Sequence, residues 1–434
     1  MRTYPSIDTV VANLVQQGAG ILLVVALPNM LTVAQFAVLV TAGVVLSFAR
    51  FPDLGLSMVY RRDVPGHVGS GDRHSVESWD RTLLWFGALA GTAVGAVAGA
   101  AFLATGASLA QAILLSLVPP LTAISSAYVS FATVRGDFGR YRDGQVLLAF
   151  GRLLAIPLVF VSSVTGWFVA QALGAAAAFA GRGARWMPRP LRIDWPLVAR
   201  NLPAGLQLAG ITLLWFQLLD SARLFAVVYD DAGSIAAYGI MVSAYQVAYG
   251  LVISAYLPVT VNTLRLLRSD EPAAIAYVQR VVGRTLPWVF ALAVVAAEFA
   301  PWVLRFVFPG YAIDNTLPRI MIYGLSAMPL LATVGTLLIG KRRNGLYFLM
   351  LIAALGAAAV ADAVLRQRIG APAAVYAQLL GTFALAGMLL AAGRALFAGA
   401  PAAGWSTWWT PAIWLCALWG AYFALRYLLV GRAF

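Results

Sequence analysis

Apolar runs of 18 or more residues recur along this chain from one end to the other. Each can cross a hydrocarbon slab of about 30 Å at about 1.5 Å per helical residue. Backbone immersed in hydrocarbon must satisfy its own hydrogen bonds, which restricts it to helices or a closed barrel. A barrel would show short segments of alternating hydrophobicity, and these runs do not alternate. Of the 434 residues, 61% are hydrophobic and 11% charged, with a mean hydropathy of +0.83. That leaves too little polar side chain to cover a soluble protein of this size. The expected fold class is all-α, a polytopic transmembrane helix bundle.

The pattern predicts twelve spans, near 8–31, 35–58, 82–105, 108–134, 144–163, 166–181, 201–222, 234–258, 285–308, 316–340, 346–365 and 372–394, with a thirteenth apolar segment near 409–430. Arg2 before an apolar stretch could suggest a signal peptide. Asn13, Gln16 and Gln17 interrupt what should then be a uniformly apolar region, so a retained first helix is expected.

The net charge is +13, and Lys341 is the one lysine beside 29 arginines. In a soluble protein this would suggest nucleic acid. Here the charge sits in short loops between apolar runs, where it acts as a topology signal, and no nucleic-acid partner is expected. The loops after even-numbered spans, together with Arg2, hold 21 of the 30 basic residues, and the loops after spans 1, 3 and 5 hold none. The positive-inside rule then places the N-terminus and the basic loops in the cytoplasm. The thirteenth segment would carry Arg432 outside, so its orientation stays open between spanning and interfacial. Cys416 alone cannot form an internal disulfide, and His67 and His74 share one polar loop without a third ligand.

The basic loops also repeat. The loop at 61–81 recurs at 265–284 and that at 135–143 recurs at 341–345, an offset near 205 residues. Ala49 to Pro52 and Ala255 to Pro258 place an Ala-x-x-Pro tetrad at the end of the second span of each half. An even span count makes the halves parallel repeats. The expected organisation is a six-helix half over 1–181, a basic cytoplasmic linker over 182–200, a second six-helix half over 201–395 and an additional hydrophobic segment over 396–434. Two such halves would enclose a central cavity.

Polar residues inside spans are the candidates for function, because lipid penalises them. Asn13, Gln16, Gln17 and Gly20 share a face of the first helix, either packing against another helix or lining a cavity. Arg50 and Asp53 flank Pro52, and Arg152 lies about two turns into the fifth span. Both arginines are within snorkelling reach of the headgroups; the alternative is a cationic patch that binds an anionic ligand. Asp220 and Arg223 form an i, i+3 pair ending the seventh span, so Asp220 either takes a coupling proton or sodium ion or braces Arg223. Glu298 is the other candidate coupling carboxylate. Arg305, Arg319 and Asp362 fall nearer the outer ends and read as interface residues. Tyr238, Tyr245, Tyr249 and Tyr256 share one face of the eighth span. The outer two suit interface anchoring; Tyr245 and Tyr249 lie mid-membrane, where a phenol needs a partner or a wet cavity.

The stretch PDLGLSMVYRR (52–62), Asp220 followed by GSIAAYGI (233–240), Pro258, and PWVLRFVFPGY (301–311) resemble the corresponding segments of Wzx-type polysaccharide and O-antigen flippases. These belong to the multidrug/oligosaccharidyl-lipid/polysaccharide exporter superfamily, which includes the lipid II flippases. The resemblance covers about residues 5–395; the thirteenth segment and the near-absence of lysine depart from it. It implies translocation of an undecaprenyl-diphosphate-linked oligosaccharide across a bacterial inner membrane, for O-antigen, capsule or exopolysaccharide synthesis. A polysaccharide polymerase and chain-length machinery would be the implied partners, besides the membrane lipids. Arg50 and Arg152, with Asn13, Gln17, Tyr245 and Tyr249, would bind substrate, and Asp220 or Glu298 would couple an ion gradient.

Two other readings remain. A drug or ion exporter of the same superfamily would need acidic rather than arginine side chains in its cavity. A membrane glycosyltransferase or polymerase could use the acidic pair Asp230–Asp231, but such enzymes present a long extracytoplasmic loop and the outer loops here are short. The sequence holds no phosphate-binding glycine loop, nucleophile triad or metal cluster, so neither catalysis nor a cofactor is expected. Reporter fusions after Arg142, Arg192 and Lys341 should read cytoplasmic, and fusions near Thr165 and Ala312 outside. Reversal at two or more of these sites overturns the topology.

Overall fold

The structure, a computed structural model, describes residues 7–180 and 192–397 together with Trp419 and Tyr422. The linker expected at 182–200 is therefore described only from Arg192, and the segment expected at 396–434 only at four residues. Among the described residues the chain is helical, a polytopic membrane bundle. Nine helical stretches among the described residues are long and apolar enough to span a bilayer, and 14–30, 33–48 and 164–177 form shorter apolar helices. Together they account for the twelve expected spans.

By internal contacts the chain forms two compact units, Met1–Leu213 and Leu214–Phe434. The first contains α1 (Ile7–Met30), α2 (Val33–Phe48), α3 (Leu56–Ser70), α4 (Arg73–Ala104), α5 (Leu109–Val134), α6 (Phe138–Leu153), α7 (Ala155–Ser162), α8 (Val164–Ala180) and the start of α9 (Trp195–Leu219). The second contains the end of α9, α10 (Ser221–Tyr229), α11 (Ala232–Ser269), α12 (Glu271–Val307), α13 (Thr316–Tyr323), α14 (Met328–Gly340), α15 (Asn344–Ile369) and α16 (Ala373–Phe397).

The two units share their punctuation. Asp72 caps α4 through Ser75 N–H and Asp270 caps α12 through Ala273 N–H. Gly136 and Arg342 both take positive φ, 70° and 58°. Around each, the next residue's N–H reaches back five residues, Asp137 to the carbonyl of Ala132 and Arg343 to that of Leu338, both at 2.9 Å. These are Schellman closures of α5 and α14. Ser163 and Gly370 also take positive φ, 54° and 67°, where α7 and α15 end, each with its own N–H returning four residues, to Val159 and Arg366.

The second span departs from expectation in the first half. α2 stops at Phe48, and residues 49–55 leave the helix before α3 resumes. Pro52 removes a donor, and Leu54 and Gly55 both take positive φ. At Gly55 a Cβ would fall 2.2 Å from the Gly205 carbonyl oxygen, so a side chain cannot fit there. The matching Pro258 does not end α11, which runs on to Ser269.

In the first unit, Gly91, Gly95 and Gly99 let α4 lie against α5. A Cβ on Gly95 would stand 2.1 Å from the Ser116 carbonyl oxygen, and one on Gly91 2.8 Å from Pro120 Cα. Small residues at four-residue spacing are how membrane helices approach closely. At the basic end of this helix pair, Tyr60 donates to Asp80 Oδ1 at 2.6 Å and Arg135 pairs with Asp80 Oδ2. Trp79 and Phe131 pack around Tyr60. Removing Asp80 or Arg135 would leave the other charge uncompensated, at about 3–5 kcal/mol.

Gly95→Ala should force α4 and α5 apart and cost about 1–3 kcal/mol. Gly356→Ala in α15, where nothing lies within 4 Å of a new Cβ, should be neutral or stabilising by up to about 1 kcal/mol. Thermal unfolding of the two detergent-solubilised variants checks the contrast.

Candidate functional site

The first unit contains a polar pocket of about 250 Å³ between α5, α6 and α8, with Arg61 of α3 at its edge. Arg61 and Arg152 both line it, with Gln145, Gln171 and the hydroxyl residues Thr122, Ser125 and Ser126; none of its eleven lining residues is a carboxylate. Arg152 Nη1 donates to Gln16 Oε1 at 3.3 Å, and Gln16 Nε2 donates to the Gln145 carbonyl at 2.7 Å. Gln16 thus ties α1 to α6 and orients the Arg152 guanidinium. Close approach of Gly151 and Gly174, where a Cβ on Gly151 would lie 2.2 Å from Gly174 Cα, holds α6 against α8 beside it. Two guanidinium groups with hydroxyl and amide neighbours suit a phosphate-bearing anion, because arginine presents its donors as a planar fork.

Arg50 is exposed in the otherwise largely buried stretch after α2 and does not line this pocket. Asp53, on the other side of Pro52, has a backbone role. Its carboxylate accepts the backbone N–H groups of Gly55 at 3.2 Å and Ser57 at 2.8 Å, capping α3. Gln17 is exposed, and the side chain of Asn13 lies outside the described residues. The residue that joins Arg152 in the pocket is Arg61. In the sequence it reads as one of the basic-loop charges; its signal was the helical register of LSMVYRR, which continues past the expected end of the span.

In the second unit Asp220 occupies the break between α9 and α10. One carboxylate oxygen pairs with Arg223, and the other accepts from Gln246 Nε2 at 2.8 Å. Gln378 of α16 spans the same break. Its Nε2 donates to the Leu219 carbonyl at 2.9 Å and its Oε1 accepts from Ala222 N–H at 3.3 Å. Glu298 pairs with Arg319 at 3.2 Å and accepts from the Tyr422 hydroxyl. Both candidate coupling carboxylates are therefore engaged in ion pairs.

Asp362 is buried rather than interfacial: Arg366 donates to both its oxygens at 3.0 Å and also pairs with Asp230. Burial raises the Asp230 carboxyl above its usual range against the pull of Arg366. Asp231 is held below that range by the backbone and side chain of Ser234, whose N–H it caps at 2.8 Å. Tyr238, Tyr245 and Tyr256 are buried, Tyr256 donating to Thr285 Oγ1 at 2.5 Å. Tyr249 accepts from Trp215 Nε1 at 2.7 Å, and the Tyr245 hydroxyl points at Gly324.

No family model matches the chain, and no curated protein matches it in sequence. Solved structures do. An inward-facing multidrug resistance MATE family transporter of the MOP superfamily superposes with a TM-score of 0.65 at 15% identity, covering 92% of this chain and 96% of that one. Lipid II flippase MurJ in an inward closed conformation gives 0.64 at 13% identity, covering 98% and 99%. A MOP superfamily transporter from Pyrococcus furiosus, described as having a binding pocket of reverse polarity that suggests a different function, gives 0.54 at 14%, covering 91% and 94%.

Asp220→Asn should lower protein level and stability, because Arg223 is left as an uncompensated buried charge. The double variant with Arg223→Gln should recover both. A double-mutant cycle scored for protein level and transport checks this. Recovered level with transport still lost would identify Asp220 as a coupling group. Over nine tenths or more of its length, this chain resembles solved membrane transporters, two of them described as members of the MOP superfamily.

Proposed function

We propose that this chain is a flippase that moves an undecaprenyl-diphosphate-linked oligosaccharide across the bacterial inner membrane by alternating access, from the leaflet facing the arginine-rich loops to the opposite one. The observation that carries this reading is the pocket with Arg61 and Arg152 and no carboxylate in its lining. A diphosphate is matched by paired guanidinium groups, amides and hydroxyls serve the first sugar, and a polyprenyl tail can stay in lipid throughout. Solved neighbours of this fold include both a lipid II flippase and multidrug transporters, so the fold is compatible with either cargo. A neighbour with a pocket of reverse polarity supports taking pocket charge as the deciding feature.

The exporter reading has less support, since a cationic drug would meet two arginines. The glycosyltransferase reading rested on Asp230 and Asp231, and these serve an ion pair and a helix cap.

Arg152→Ala should reduce transfer of a fluorescent polyprenyl-diphosphate sugar across proteoliposomes at least about tenfold, the loss of one charge-assisted phosphate contact of about 1.5–3 kcal/mol. Arg61→Ala should act in the same direction, and Arg152→Lys should recover part of the activity because it keeps charge but not the fork. Wild-type rates in an Arg61→Ala, Arg152→Ala double variant, or transport of cationic dyes in its parent, would overturn the proposal.

A further inference from the structure

The outward surface of α12 carries an unbroken apolar stripe. Trp288, Leu292, Val295, Phe299, Trp302 and Phe306 follow at intervals of three and four residues and are 53–78% exposed. They cover about 27 Å of helix, the thickness of a hydrocarbon core. At its C-terminal end the stripe runs into a pocket of about 400 Å³ lined by Glu298, Pro301, Trp302, Arg305, Phe306, Asn315 and Arg319. Trp302 and Phe306 belong to both, and their rings are stacked at 5.9 Å and 11°. This end of α12 is the one remote from Glu271, which pairs with Lys341 in the basic turn after α14.

The charges in this pocket do not cancel. Glu298 is matched by Arg319 at 3.2 Å. Arg305 donates its Nε–H to the Ile313 carbonyl at 3.4 Å and has no carboxylate within ion-pair distance among the described residues. Arg319 Nε is buried without a hydrogen-bond partner among them. One net positive charge, with arginine N–H groups to spare, therefore sits where a lipid-facing stripe ends.

We propose that this pocket binds the phosphate headgroup of an anionic phospholipid in the leaflet opposite the basic turns. Arg305 and Arg319 contact the phosphate, Asn315 the glycerol end, and one acyl chain lies along Phe299, Val295 and Leu292. Snorkelling alone would account for Arg305. It would not account for a second arginine, half-buried in the same open recess, that adjoins the stripe through two aromatic side chains. A soluble anion would use the arginines but gain nothing from the stripe. This site is distinct from the Arg61–Arg152 pocket, and its test requires no transport.

The experiment is native mass spectrometry of the purified full-length protein in neutral detergent, titrated with phosphatidylglycerol, phosphatidylcholine, glycerol 1-phosphate or a polyprenyl diphosphate. Phosphatidylglycerol should be retained about fivefold more tightly than phosphatidylcholine, the worth of one arginine beside a lipid phosphate. Arg305→Gln should erase that preference; this side chain is exposed, so the variant should fold. Trp302→Ala should weaken both lipids together, and glycerol 1-phosphate should not compete. Equal retention of the two phospholipids, or a preference that survives in Arg305→Gln, overturns the proposal. Competition by glycerol 1-phosphate would make this a free-anion site, and preferential retention of the polyprenyl diphosphate would assign it to transported lipid; either result also overturns it.

Discussion

Hydrocarbon cannot hydrogen-bond a peptide group, and an open N–H or C=O there costs several kcal/mol. Several helix interruptions among the described residues are consequently closed by groups the sequence supplies. Asp53 takes up the N–H groups that open α3. Gln378 stands in for a missing peptide unit across the α9–α10 break, accepting on one side and donating on the other. The basic-end turns of both units close by the same five-residue return to a carbonyl, through Gly136 in one and Arg342 in the other. A left-handed residue costs an arginine about 1–2 kcal/mol that glycine avoids. Arg342 bears that strain at a site where a positive charge also faces the C-terminal end of α14, which offsets part of it.

The two units share this framework and differ in how they treat buried charge. In the second, three half-buried arginines among the described residues meet carboxylates: Arg223 with Asp220, Arg319 with Glu298, Arg366 with Asp230 and Asp362. In the first, Arg135 has Asp80, whereas Arg61 and Arg152 line a pocket that offers them none. Both of these side chains are exposed, so their guanidinium donors stay accessible in a recess that presents no competing carboxylate. The second unit has spent its acids on neutralising itself, and any coupling ion there must compete with an arginine already in place.

Span positions were legible because apolar period and length are set by the bilayer and need no tertiary information. Basic loops were equally plain. The break at 49–55 was not, since Leu54 and Leu56 continue the apolar run that Pro52 and Gly55 interrupt. The same Ala-x-x-Pro tetrad at 255–258 leaves α11 intact, because a proline in a long helix can be absorbed where neighbouring helices hold it straight. The stripe Gly91, Gly95 and Gly99 was visible as spacing, but only the contact with Ser116 gives it meaning. The Arg152–Gln16 contact joins residues 136 apart and had no local signal at all. Arg61 could be counted as a topology charge only while the second span was expected to end at residue 58.

Pocket size limits what the arginines can recognise. About 250 Å³ is below the range that encloses a drug-sized ligand. It accommodates a diphosphate and part of one sugar, so on the proposed reading the first unit reads the phosphate head that all polyprenyl-linked intermediates have in common. The remaining sugars must then be held less specifically, by surfaces that require no fixed partner for each hydroxyl. Selectivity among glycans would come from the sugar next to the phosphate, where Gln171 and the serines of α5 stand. Lengthening or branching the far end should leave head-group affinity unchanged, because none of those atoms reaches the charged pocket.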